Sequence, residues 1–105
     1  MKKRIFIALC VLVALAYPAF AVTAGDVLDK MPSKEMSVFV GGMIEMAIYA
    51  ASDHGKATKR SECILNWYYK NDGKGQRLIL ATFDRYRDQE AAALLNVLIE
   101  RQCSK

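Results

Sequence analysis

PSKEMSVFVGGMIEMAIYAASDHG, residues Pro32–Gly55, is the stretch on which the fold turns. Pro32 ends whatever precedes it, and Ser33 is a residue type that caps helix starts. Apolar residues then recur at Met36, Phe39 with Val40, Met43, Met46 with Ala47, and Ala50. Spacings of three, four and seven place these on one stripe of a long helix. Gly55 after His54 reads as its C-cap. Inside that helix stand Gly41 and Gly42, each costing roughly 1 kcal/mol relative to alanine. The expected reason is close helix–helix packing at Gly41 and Gly42. A kink or a contact surface for a partner is the alternative.

The flanking sequence follows the same period. Upstream, Asp26 to Met31 is a short apolar segment (Val27, Leu28, Met31). Downstream, a segment from about Ser61 to Lys70 carries Cys63 and Trp67 four apart, with Ile64 and Tyr68 beside them. Asn71-Asp72-Gly73-Lys74-Gly75 reads as a turn. A fourth helical segment puts Ile79, Phe83 and Tyr86 on one side. Asp88 is the expected cap of a fifth, in which Ala91, Leu94, Leu95, Leu98 and Ile99 form the stripe and Cys103 follows on the same face. Nothing alternates long enough to argue a strand. The expectation is one small all-α bundle of four to five helices.

Residues 1–21 read differently. Met1-Lys2-Lys3-Arg4 is a basic start, Ile5 to Ala16 is apolar, and Ala19-Phe20-Ala21 after Pro18 is a signal-peptidase site. The expected product is a periplasmic protein cut after Ala21. Removing 21 of 105 residues leaves 84, and three of the fifteen basic residues go with them, so the charge falls from +4 to +1. The basic character belongs to the leader. It makes no case for nucleic acid, or for a membrane once the signal is cleaved. Cys10 follows Leu9 rather than a small residue, which argues against lipidation.

Cys63 and Cys103 remain after cleavage. Two thiols in an exported chain have one intramolecular pairing; two free thiols or an intermolecular bridge are the other readings. A length of 84 excludes a two-domain enzyme or a full dinucleotide-binding fold. Chemistry is not signalled either. His54 is the single histidine, no serine sits in a G-x-S-x-G setting, and Gly73-Lys74-Gly75 lacks the ending of a phosphate loop. No cofactor and no enzymatic activity are expected. Trp67, Tyr68 and Tyr69 span about 200° of a helix, so at least one must face solvent or an interface.

The ordered set Phe39-Val40-Gly41-Gly42-Met43, Cys63-Ile64, an apolar-aromatic helix and a last helix ending on Cys103 resembles the Rap/Tai family of periplasmic immunity proteins. The similarity covers about Glu35 to Cys103. It departs at Leu65, where the family often has proline, and at Arg101-Gln102, where an aromatic-proline pair is common. The resemblance implies a small helical protein, often a homodimer, with a Cys63–Cys103 bridge, which neutralises a peptidoglycan amidase delivered by type VI secretion. The expected partner contacts lie in two polar connections, Lys56, Lys59 and Arg60 before the third helix and Asn71, Asp72 and Lys74 after it. An acid-stress periplasmic chaperone of the HdeA type, also small, helical and bridged, is the competing function.

Overall fold

The computed structural model describes residues 22–104. The expected leader, its expected cleavage point after Ala21, and Cys10 lie outside the described residues. Five α-helices follow one another: α1 (Ala24–Lys30), α2 (Ser33–Ala51), α3 (Lys59–Tyr69), α4 (Lys74–Arg85) and α5 (Ala91–Gln102), with a 3-10 turn at Asn71–Gly73 between α3 and α4. No strand forms among the described residues, so the architecture is all-α as the periodicity predicts. None of these helices is long and apolar enough to cross a membrane.

Helix α3 is the centre. It packs along α2 on one side and meets α4 and α5 on the other, while α1 closes the far side of α4 and α5. The core is Val27, Ile44, Ile64, Ile79 and Phe83, all fully buried, joined by Trp67, Tyr68, Leu95, Leu98 and Ile99. Each helix therefore contributes one apolar stripe to a shared interior, which is how short helices become stable at all.

Along α2 the buried face is rotated from the expected stripe. Val40 and Ile44 are buried, with Ile48 and Ala51 half-buried on the same side. Met46 is 70 % exposed, and Ala50 is exposed too. Gly41 and Gly42 do not serve close packing. A Cβ on Gly41 would have only the Tyr68 hydroxyl near it, at 4.0 Å, and one on Gly42 would meet nothing within 4 Å. The close approach is at Gly75 instead. It is a buried residue in the first turn of α4, not part of a turn as its neighbours suggest. A Cβ there would collide with the Trp67 carbonyl, whose carbon lies 3.0 Å away. That missing side chain is what lets the start of α4 rest on α3.

The helix ends are satisfied in ways the sequence only partly announces. Thr23 caps α1 with a reciprocal box: its side chain accepts from the Asp26 N–H at 3.1 Å, and the Asp26 carboxylate accepts from the Thr23 N–H at 3.4 Å. Lys30, one turn on and 3.1 Å from it, together with these bonds holds the Asp26 carboxyl below its ordinary value. Ser33 is the first residue of α2 and makes no cap bond; Pro32 holds the cap position. Asp88 does not cap α5 either. Glu90 is the boundary residue, and the Ala91 N–H donates to the Val22 carbonyl at 3.0 Å. Ala24 and Gly25 donate to Gln89 and Arg87 carbonyls nearby, so the chain entering α1 does the capping.

Cys63 and Cys103 are bonded, with Cα atoms 5.8 Å apart. The bridge ties α3 to the end of α5. Arg60 crosses the same gap, donating to the Cys103 carbonyl at 2.7 Å and to the Glu100 carboxylate at 2.6 Å. A guanidinium on the last carbonyls of a helix also suits its dipole.

Candidate functional site

The connection from α2 to α3 is built as a rigid projection. At its base, Ser52 donates its N–H to the Ile48 and Tyr49 carbonyls and its hydroxyl to Tyr49, closing α2. Opposite, Thr58 caps α3 in a box with Ser61: Thr58 N–H to Ser61 Oγ at 2.7 Å, and Ser61 N–H to Thr58 Oγ1 at 3.1 Å. The Thr58 hydroxyl donates across the loop to the Ala51 carbonyl at 2.6 Å, joining the two helix ends. Serine in place of the usual glutamate fits here because Ser61 is 3 % exposed and has no room for a longer chain.

At its tip the chain reverses over Asp53, His54, Gly55 and Lys56. Asp53 and Lys56 exchange both backbone hydrogen bonds, each 2.9 Å. His54 has φ 49° and Gly55 φ 82°; positive φ at both central positions is the pattern of a type I′ hairpin turn. The turn thus stands off the bundle with its backbone already ordered. The His54 side chain is 98 % exposed and lies 3.8 Å from the Asp53 carboxylate. The pair sits in a turn rather than on a helix, so sequence neighbours do share a side here. In full solvent such a contact contributes little.

Beside the turn, α2 and α3 leave a groove of about 240 Å³, lined by Glu45, Tyr49, Ser52, Gly55, Glu62 and Leu65 among others. Tyr49 is 70 % exposed at its edge. Further along, Tyr69 donates its hydroxyl to the Glu45 carboxylate. That bond to a carboxylate pushes the Tyr69 phenol up to about 12, with burial and the Glu45 charge adding to it. Tyr69 is the half-exposed member of the three successive aromatics; Trp67 and Tyr68 are buried.

The expected contact residues separate into two places. Lys56 is on the exposed turn, and Lys59 is the exposed first residue of α3. Arg60 is turned away, committed to Glu100 and Cys103 with 22 % of its side chain exposed. Asn71, Asp72 and Lys74 lie beyond the other end of the eleven-residue α3, about 16 Å away along its axis. Asn71 and Asp72 both have positive φ (61° and 54°), a region these two residue types tolerate. Arg77 fixes that corner by donating to the Asp72 carbonyl at 2.7 Å. The two connections therefore cannot form one continuous tip. Glu45, Tyr49, Glu62 and Leu65 complete the surface beside the first connection. Of these, only Tyr49 carries a sequence signal, as the end of the run Val38, Gly42, Met46, Tyr49 at steps of four, four and three, a second stripe on α2 that the buried one obscures.

Among the described residues no group of three histidine, cysteine or acidic side chains is placed to hold a metal ion. No protein-family model matches the chain, and no curated protein or solved structure matches it at a significant level.

Proposed function

We propose that the mature protein is an exported, non-enzymatic binding protein that blocks a secreted peptidoglycan amidase, in the manner of the immunity proteins its sequence resembles. The observation that supports this reading best is the projecting turn at Asp53, His54, Gly55 and Lys56. Its two reciprocal hydrogen bonds and the Thr58–Ala51 closure order the loop before any partner arrives. An ordered loop loses little conformational freedom on binding, which favours affinity in an inhibitor that works by filling a groove. The bridge and Arg60 hold the helix behind it. Export to the periplasm, cleavage after Ala21 and a homodimer are part of the same proposal.

The test is capture of mature protein, residues 22–105, against a panel of secreted cell-wall hydrolases. Stoichiometric binding to an amidase supports the proposal. Catalytic turnover by the purified protein itself defeats it. So does client binding that appears only on acidification, which is the behaviour of the chaperone alternative.

A further inference from the structure

On another side of the bundle, α4 and α5 leave between them a groove of about 460 Å³, within the size range of ligand-binding clefts. Each helix lines it with the same pattern. From α4 come Leu78, Ala81, Thr82, Arg85 and Tyr86; from α5 come Leu94, Val97, Leu98, Arg101 and Gln102. Both runs follow i, i+3, i+4, i+7, i+8, so the groove floor is one apolar stripe from each helix. Leu78, Val97 and Tyr86 keep 37 %, 47 % and 46 % of their surface in solvent, although apolar side chains this close together would bury each other if the helices closed.

The charges are one-sided. Arg85 and Arg101 line the groove and no acidic residue does. Neither arginine forms an ion pair among the described residues, unlike Arg60 and Arg87. Arg85 packs its guanidinium over the Tyr86 ring at 5.6 Å, which leaves its N–H edge open to an acceptor. The short link between the helices brings Arg85 to the first turn of α5, where Leu94 lines the groove with it, and Arg101 lies seven residues beyond Leu94, about 10 Å along the helix. Two cations at opposite ends of an apolar trough match an apolar segment with a carboxylate at each end. A single-headed anionic amphiphile satisfies only one of them. The basic N-terminal run of this chain, with Lys2, Lys3 and Arg4, has the wrong sign.

We infer that the α4–α5 groove binds an amphipathic helix of a partner protein, with acidic residues at i and i+7 flanking apolar residues at i+3 and i+4. This is the helix-in-groove mode, with apolar anchors for affinity and the arginines setting orientation. The inference does not depend on the 53–56 turn or on the identity of an amidase.

The probe is a synthetic 14-residue helical peptide with glutamates at i and i+7 and leucines at i+3 and i+4, labelled for fluorescence anisotropy against the mature protein. Saturable binding is expected, weakening at least ten-fold on Arg85→Glu or Arg101→Glu and recovering when the matching glutamate of the peptide becomes lysine. Circular dichroism checks that both variants fold. Variants of the turn should leave this binding unchanged. Equal binding of a glutamine-substituted peptide would overturn the inference, as would indifference to both arginine reversals. Preference for sodium laurate over the peptide would overturn it too, as would a dimer in sedimentation that dissociates on Arg85→Glu or Arg101→Glu, because the groove would then be filled by a second copy of the chain.

Discussion

Removing the bridge should take away a large share of the stability of this domain. Cys63 and Cys103 are 40 residues apart in sequence, and closing a loop of that length removes about 4 kcal/mol of unfolded-state entropy at 25 °C. A domain of some 84 residues has a total of about 4–12 kcal/mol. The reduced protein should therefore sit near the margin of folding. The double variant Cys63→Ala, Cys103→Ala is a cleaner perturbation than serine, because Cys103 is 2 % exposed and a hydroxyl there would add its own burial cost. Arg60 still spans the gap in that variant, so α5 should dock in the folded fraction. Urea unfolding followed by helical ellipticity reads the loss. The expected result is a midpoint shift equivalent to about 2–4 kcal/mol, and a steeper urea dependence because the uncrosslinked chain exposes more surface. A loss below about 1 kcal/mol with an intact bridge in the parent would contradict a bridge that acts by restricting the unfolded chain. It would mean that the denatured chain holds α3 and α5 together without the bond.

Gly75→Ala should destabilise by about 1–3 kcal/mol, because the added methyl meets the Trp67 backbone rather than a side chain that can swing away; Gly42→Ala should be neutral or stabilising, and thermal melts of the two compare them directly. Ultraviolet titration near 295 nm should find one phenol ionising at about 12, that of Tyr69, and Glu45→Ala should bring it back toward the ordinary tyrosine value. Its neutral form is favoured by folding, so that contribution is present below the ordinary value and is lost as pH rises toward 12. Asp26 has the opposite sign: its carboxyl is lowered, so the α1 cap is intact above the ordinary aspartate value near 3.8 and is lost as pH falls through the folded one. Amide exchange in α1 should accelerate only in that acid range, and Asp26→Asn should flatten the dependence.

The helices were legible because each carries enough apolar residues at the helical period to be recognised alone. Ile64, Ile79, Phe83, Leu95 and Ile99 are both the periodic residues and the core. The Cys63–Cys103 pairing was legible only as one of three readings of two thiols, and the folded chain selects it by setting their Cα atoms 5.8 Å apart. What stayed hidden depended on neighbours distant in sequence. Two apolar stripes run along α2, and only the position of α3 selects Val40 and Ile44 over Met46. Glycine pairs suggest close packing, but the contact falls at Gly75, where the chain has just left a turn. Asp88 has the residue type of a cap, but the Ala91 N–H finds its acceptor at Val22, far away in sequence. The polar link before α3 looked like one surface. In the folded chain Arg60 faces α5 and Lys56 faces solvent, because the helix begins at Lys59 and turns successive residues to different sides.

The measurement that bears most directly on the proposed mode of action is an inhibition titration of the amidase captured by the mature protein. It compares the parent with a variant in which His54 and Gly55 become prolines, a change that abolishes positive φ at the tip of the turn. Helical ellipticity and the Cys63–Cys103 bond should be retained, since both lie outside the turn. A one-to-one endpoint is expected for the parent, and at least ten-fold weaker inhibition, about 1.4 kcal/mol, for the variant. Undiminished inhibition by a variant whose turn is broken would contradict it.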